Sequence, residues 1–235
     1  MIRRDFILRM IEEFAQALAR INSFKRDGRW GEASETLDAE FKRLIGEGAQ
    51  AVARLSETEL LARLLQNEPT HVLRDKTLIL TALLTEAGDV AAAQGRTEES
   101  RVCYLKALHL LLDVLARGEV FECPEFVPKV EMLESALKGS QLSVPTHALL
   151  MQHHERTGEF AKAEDELFAM LDAEPDNEKI AEFGVAFYQR MLTQSDTALT
   201  AANLPRTEVE EGLKDLESRR NRSGLSNPPK SSASG

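Results

Sequence analysis

Two cysteines in 235 residues are too few for a disulfide framework, and Cys103 and Cys123 form no CxxC pair, so both read as reduced thiols in packing or surface roles. β-Branched residues are also scarce, with 11 valines and 7 isoleucines against 33 leucines, 28 alanines and 28 glutamates. Unbranched chains and alanine lose little rotamer freedom in a helix, whereas β-branched chains suit a pleated sheet, so a sheet-based fold is excluded and an all-α fold expected. Long apolar runs are missing: Leu78 to Leu84 and Ala107 to Ala116 are too short to span a bilayer, and the second carries His109 and Asp113. The N-terminal stretch MIRRDFILRMIEEF lacks the uninterrupted apolar core of a signal peptide, because Asp5, Arg9, Glu12 and Glu13 break it. No membrane association and a cytoplasmic location are expected.

Positive charge is short as well. Lysine and arginine total 29 against 39 acidic residues, a net charge of −10, which argues against a nucleic-acid partner because phosphate affinity comes from clustered Lys and Arg. Arg219, Arg220, Arg222 and Lys230 lie in a terminal stretch without an acid, so residues 1–218 hold 25 bases against 39 acids, a net of −14. Hydrophobic content of 43%, charged content of 29% and mean hydropathy of −0.30 describe a globular chain, neither disordered nor membrane-embedded.

What the sequence has is helical periodicity. Phe6, Met10, Phe14 and Leu18 at spacing four, flanked by Ile7, Ile11 and Ile21, predict a long amphipathic helix that stops at Asp27-Gly28. A second helix is predicted from Trp30 to Ile45. Ser56-Glu57-Thr58-Glu59 has the capping-box form and announces a third. Further helices are predicted at about 71–93, 97–116, up to 138, 145–156, 160–173, 176–192 and 205–220, with loops over 117–128 and 195–204. The expected architecture is about nine or ten helices in stacked antiparallel hairpins, divided as an N-terminal helical region (1–78), repeat-like hairpins (79–194), a charged C-terminal helix (195–221) and a disordered tail (222–235).

Three junctions are built alike: Gly28-Arg29-Trp30 with Ala33, Gly95-Arg96-Thr97 with Ser100, and Gly158-Glu159-Phe160 with Ala163. In each, glycine permits a tight turn and a small residue five positions later lets two helices approach. Gly88, Tyr104 and Ala107 extend the second copy, and Pro175 follows the third at seventeen residues. The pattern resembles the tetratricopeptide repeat, a helical hairpin of about 34 residues. The copies lie 67 and 63 residues apart, so they are not tandem, and none carries the full signature. The resemblance implies a curved stack whose inner helices hold a peptide or helix of a partner. One mode of that family, clamping a C-terminal carboxylate through inner-helix asparagines, is disfavoured because 78–93 and 146–156 contain no asparagine. Separately, the opening MIRRDFILRMIEEFAQALARI is similar to the start of a bacterial family of unknown function.

Chemistry-bearing motifs are absent. His153-His154-Glu155 places its histidines about 100° apart on a helix, whereas helical metal ligands need spacing three or four. His147 and His154 share a face two turns apart, and His71 with Asp75 and His109 with Asp113 read as surface pairs. Lys138-Gly139-Ser140 follows a predicted helix where a phosphate loop would follow a strand, and no GxSxG, HExxH or GxGxxG occurs. No catalytic, cofactor or metal residues are therefore assigned, and Gly28, Trp30, Ala33, Gly88, Gly95, Ser100, Tyr104, Ala107, Gly158, Phe160, Ala163 and Pro175 are read as turn and packing positions. The expectation is a non-catalytic scaffold or adaptor whose acidic body takes a basic protein or peptide. The alternatives are a ligand-responsive helical regulator, a glutamate-rich bundle metalloenzyme, and a homo-oligomer assembled through the first helix.

Overall fold

Three glycines in the left-handed region set the layout. Gly28, Gly95 and Gly158 have φ of +70°, +74° and +79°, and each is followed by a residue near φ −90° and ψ +60°, Arg29, Arg96 or Glu159, after which a helix begins at once. The amide of that following residue closes on a carbonyl five positions back: Arg29 on Phe24, Arg96 on Ala91 and Glu159 on His154, at 2.8 to 2.9 Å. A residue with a Cβ resists this backbone, which is why each hinge carries glycine.

The computed structural model describes residues 2–65, 70–117 and 123–225, with side chains described for 8–65, 72–117 and 123–219. Twelve helices occur among the described residues: α1 (Ile2–Arg26), α2 (Trp30–Ile45), α3 (Ala49–Arg54), α4 (Glu57–Leu64), α5 (Thr70–Ala93), α6 (Thr97–Ala116), α7 (Val130–Ala136), α8 (Val144–Thr157), α9 (Phe160–Ala173), α10 (Glu178–Leu192), α11 (Asp196–Ala201) and α12 (Arg206–Leu225). The fold is all-α, built of antiparallel hairpins α1–α2, α5–α6 and α8–α9 around the three hinges. None of the described helices is long and apolar enough to cross a membrane.

Two of the twelve, α3 and α11, were not expected. Each has six residues, less than two turns, so hydrophobic periodicity has nothing to repeat over. Local polar groups hold them: Asp38 accepts the Ala49 amide at 2.8 Å, and the Ser195 hydroxyl caps the Ala198 amide at 3.2 Å. The expected box at α4 forms, with Ser56 accepting from the Glu59 amide and Glu59 accepting from the Ser56 amide.

The chain divides into two compact units, residues 1–141 and 142–235. The expected break after residue 78 falls inside α5, which continues unbroken to Ala93, and the C-terminal helix belongs with the hairpins before it. Of the expected tail, 222–225 continue α12, while 226–235 lie outside the described residues, as do 118–122 of the expected loop. In the first unit, Met10, Phe14, Ala17 and Ile21 of α1 are buried within the unit, and the Phe14 ring meets Phe126 edge-on at 5.0 Å. The Phe6 and Ile7 side chains lie outside the described residues. α5 carries the most buried face, including Leu78 to Leu84. Its Thr77, Thr81 and Thr85 hydroxyls donate to the carbonyls of Leu73, Thr77 and Thr81 at 2.8 to 2.9 Å. The second unit has its own core of Met151, Leu167, Phe187, Tyr188, Leu199, Val209, Leu216 and neighbours.

Candidate functional site

The residues singled out in the sequence occupy two kinds of place. Gly28, Gly95 and Gly158 sit at exposed hinge tips, while Ala33, Ser100 and Ala163, five positions later, are buried where paired helices meet. Phe160 and Ala107 are buried, Trp30 is half-buried, and Pro175 lies in the exposed turn between α9 and α10. Gly88 faces Tyr104 across α5–α6; a Cβ there would stand 2.7 Å from the ring. The Tyr104 hydroxyl donates to Asp89 at 2.6 Å, and Asp89 and Glu86 both bind the Lys25 ammonium, at 2.5 and 2.6 Å. Burial pulls the Lys25 pKa down, but the hydrogen bonds and charges of Asp89 and Glu86 outweigh it and leave it above the ordinary value. Burial holds the Glu86 carboxyl above its usual value despite the lysine.

The histidines are held by carboxylates. His147 Nδ1 lies 2.5 Å from Glu166, and buried His154 lies 3.0 Å from Glu159, whose pKa falls to about 2, chiefly through Lys162 and then His154 against an opposing burial cost. His109, expected beside Asp113, bonds Glu57 at 3.1 Å, and Asp113 instead takes Arg117 at 2.6 Å. His71 is outside the described side chains.

The structure adds a site that the sequence did not announce. In the second unit, α9, α10 and α12 enclose a cleft of about 510 Å³. Gly212 opens it: α12 crosses α10 so closely that a Cβ on Gly212 would sit 2.3 Å from the Tyr188 ring. Val209 and Leu216 bury the apolar stripe of α12, and Glu208, Glu211 and Asp215, spaced three and four apart, line the cleft from the same helix. From α9 come Glu164 and, one turn on, Phe168, a residue that remains 44% exposed. Tyr188 donates its hydroxyl to Glu164 Oε1 at 2.6 Å. Lys214 and Arg219 also line the cleft.

Of the cleft's carboxylates Glu164 is half-buried, and Glu208, Glu211 and Asp215 are exposed. Among the described residues, Glu164, Glu208, Glu211 and Asp215 form no ion pair, whereas Glu155 is met by both nitrogens of Arg190 and Glu86 by Lys25. Burial pushes the Glu164 carboxyl above its usual pKa; the Tyr188 bond opposes this, and the negative charges of Glu208 and Asp165 add to it. The Tyr188 phenol is raised by burial and by Glu164. A larger cleft of about 650 Å³ beside α8 and α10 includes Glu155, already neutralised by Arg190, and one of about 410 Å³ in the first unit includes Glu86, held by Lys25. The α9–α10–α12 cleft sets four carboxylates against Lys214 and Arg219 beside an exposed aromatic ring, Phe168.

A trace of this was present in the sequence. Acids at 208, 211 and 215 fall on one helical face, but a polar terminal helix reads equally as a solvated cap, and only the packing of Gly212 on Tyr188 turns that face toward α9. No curated protein and no solved structure matches the chain. Residues 1–221, nearly the full length, fit the family of unknown function DUF6483, and the chain belongs to that family.

Proposed function

We propose that the chain is a non-catalytic protein-interaction module of the bacterial cytosol, holding a segment of a partner protein in the cleft between α9, α10 and α12. The observation that carries this reading is the exposed Phe168 beside half-buried Glu164, in a cleft where four carboxylates face two cations. Glu208, Glu211 and Asp215 are exposed and hydrated, so the carboxylate that burial sets apart is Glu164, and the open Phe168 ring one turn away offers apolar contact in the same cleft. The tetratricopeptide-like reading of the hairpins belongs to the same proposal, supported by the common backbone geometry of the three glycine hinges.

The test is site-specific cross-linking. Benzoylphenylalanine replacing Phe168 in the full chain, expressed in its native host, should form a discrete adduct with another protein under ultraviolet light. The same amino acid at exposed Glu182, away from the cleft on α10, should not. A chain that cross-links no protein from position 168 overturns the reading.

A further inference from the structure

Resting on the interaction reading above, we propose that the segment received by the α9–α10–α12 cleft is anchored by an arginine, its guanidinium at Glu164 and Glu208 and an adjacent apolar residue on Phe168. The charge pattern sets the sign of the ligand, since four carboxylates against Lys214 and Arg219 leave the lining net negative. Glu164 is the focus: it is half-buried and salt-bridged to no described residue, and its pKa responds to the charge of Glu208. One of its oxygens, Oε1, accepts from Tyr188, which leaves Oε2 with capacity for a donor.

Two carboxylates in mutual repulsion are better satisfied by a planar group with several divergent donors than by a point charge, which favours guanidinium over ammonium. The exposed ring of Phe168 favours the same choice, since guanidinium groups stack on such rings while ammonium groups hold their water. The rest of the exposed Phe168 side chain supplies apolar area for the residue next to the arginine. The cleft volume of about 510 Å³ suits one or two side chains, so the anchoring contact is short.

The full-length chain panned against a displayed library of random dodecapeptides tests this. The enriched peptides should share an arginine next to an apolar residue. Because Glu208→Lys sets a like charge directly against the bound guanidinium, the best peptide should bind that variant at least about tenfold more weakly by fluorescence anisotropy. Glu164→Gln keeps an acceptor for Tyr188 and removes only the charge, and should also weaken binding with the helical circular dichroism unchanged. The double variant Asp176→Lys/Glu182→Lys, in exposed positions outside the cleft, controls for net charge and should bind within about twofold of the parent, as exposed charges are screened. Replacing the peptide's arginine by lysine should weaken binding.

Enriched peptides without arginine whose binding is lost in Phe168→Asp overturn the arginine anchor and leave the interaction reading standing. Peptides insensitive to Glu208→Lys, Glu164→Gln and Phe168→Asp overturn both. A library that yields no binder overturns the arginine anchor, and the cross-link at position 168 then decides the reading beneath it.

Discussion

Glycine is used in two opposite ways in this chain, and substitution by alanine separates them. At Gly95 a Cβ would meet nothing within 4 Å, so the cost of Gly95→Ala is the left-handed backbone itself, about 1–2 kcal/mol. Gly88 has no backbone strain to relieve, but its added methyl would enter the Tyr104 ring and disturb the bond to Asp89; overpacking of this kind costs about 1–3 kcal/mol, and the contact here belongs at the upper end. Urea denaturation should therefore rank Gly88→Ala below Gly95→Ala in stability. The Lys25 cluster yields a second residue-scale expectation. Glu86 has a raised carboxyl pKa in the fold, so the folded state holds a proton that the unfolded state releases, and stability falls as pH rises from about 4.5 through the folded value. Lys25→Met removes the countercharge and widens that window. Thermal melts of the variant should lose stability between pH 4.5 and 7 more steeply than those of the parent.

At the scale of the element, α3 shows how a helix too short to stand alone is held in place. Lys106, buried on α6, donates its ammonium to the carbonyls of Val52, Ala53 and Leu55 at 3.0, 2.6 and 2.5 Å, satisfying the C-terminal end of α3, where the helix dipole is negative. Burial lowers the Lys106 pKa, with Glu57, Cys103 and Glu59 opposing. Lys106→Met should cost about 2 kcal/mol, the scale of charged hydrogen bonds, and should speed amide exchange over residues 49–55 before the rest of the first unit. This contact also marks the limit of what the sequence discloses. Trp30–Ile45, Thr97–Ala116 and Phe160–Ala173 were legible to within a residue or so, because their apolar stripes repeat over several turns and glycine hinges bound them. The α3 helix depends on a lysine more than fifty residues away, and the cleft depends on Gly212 meeting Tyr188; neither relation leaves a local pattern.

The whole molecule comprises two compact units, each with its own buried core. All of the core around Phe187 and Tyr188 comes from residues after 142, so the second unit has the apolar interior that independent folding requires. Residues 142–235 expressed alone should be helical by circular dichroism and unfold cooperatively, and should retain whatever binding the cleft supports. A non-cooperative melt of that fragment would contradict this. The division also sorts the substitutions above: Gly88→Ala, Lys25→Met and Lys106→Met act in the first unit and should leave binding at Glu164 and Phe168 unaltered. The threonine ladder of α5 has a different consequence, one of hydration. Each hydroxyl of Thr77, Thr81 and Thr85 spends its proton on its own helix, so adjoining side chains meet mainly methyl groups, and a stripe that composition counts as polar is dry to its neighbours.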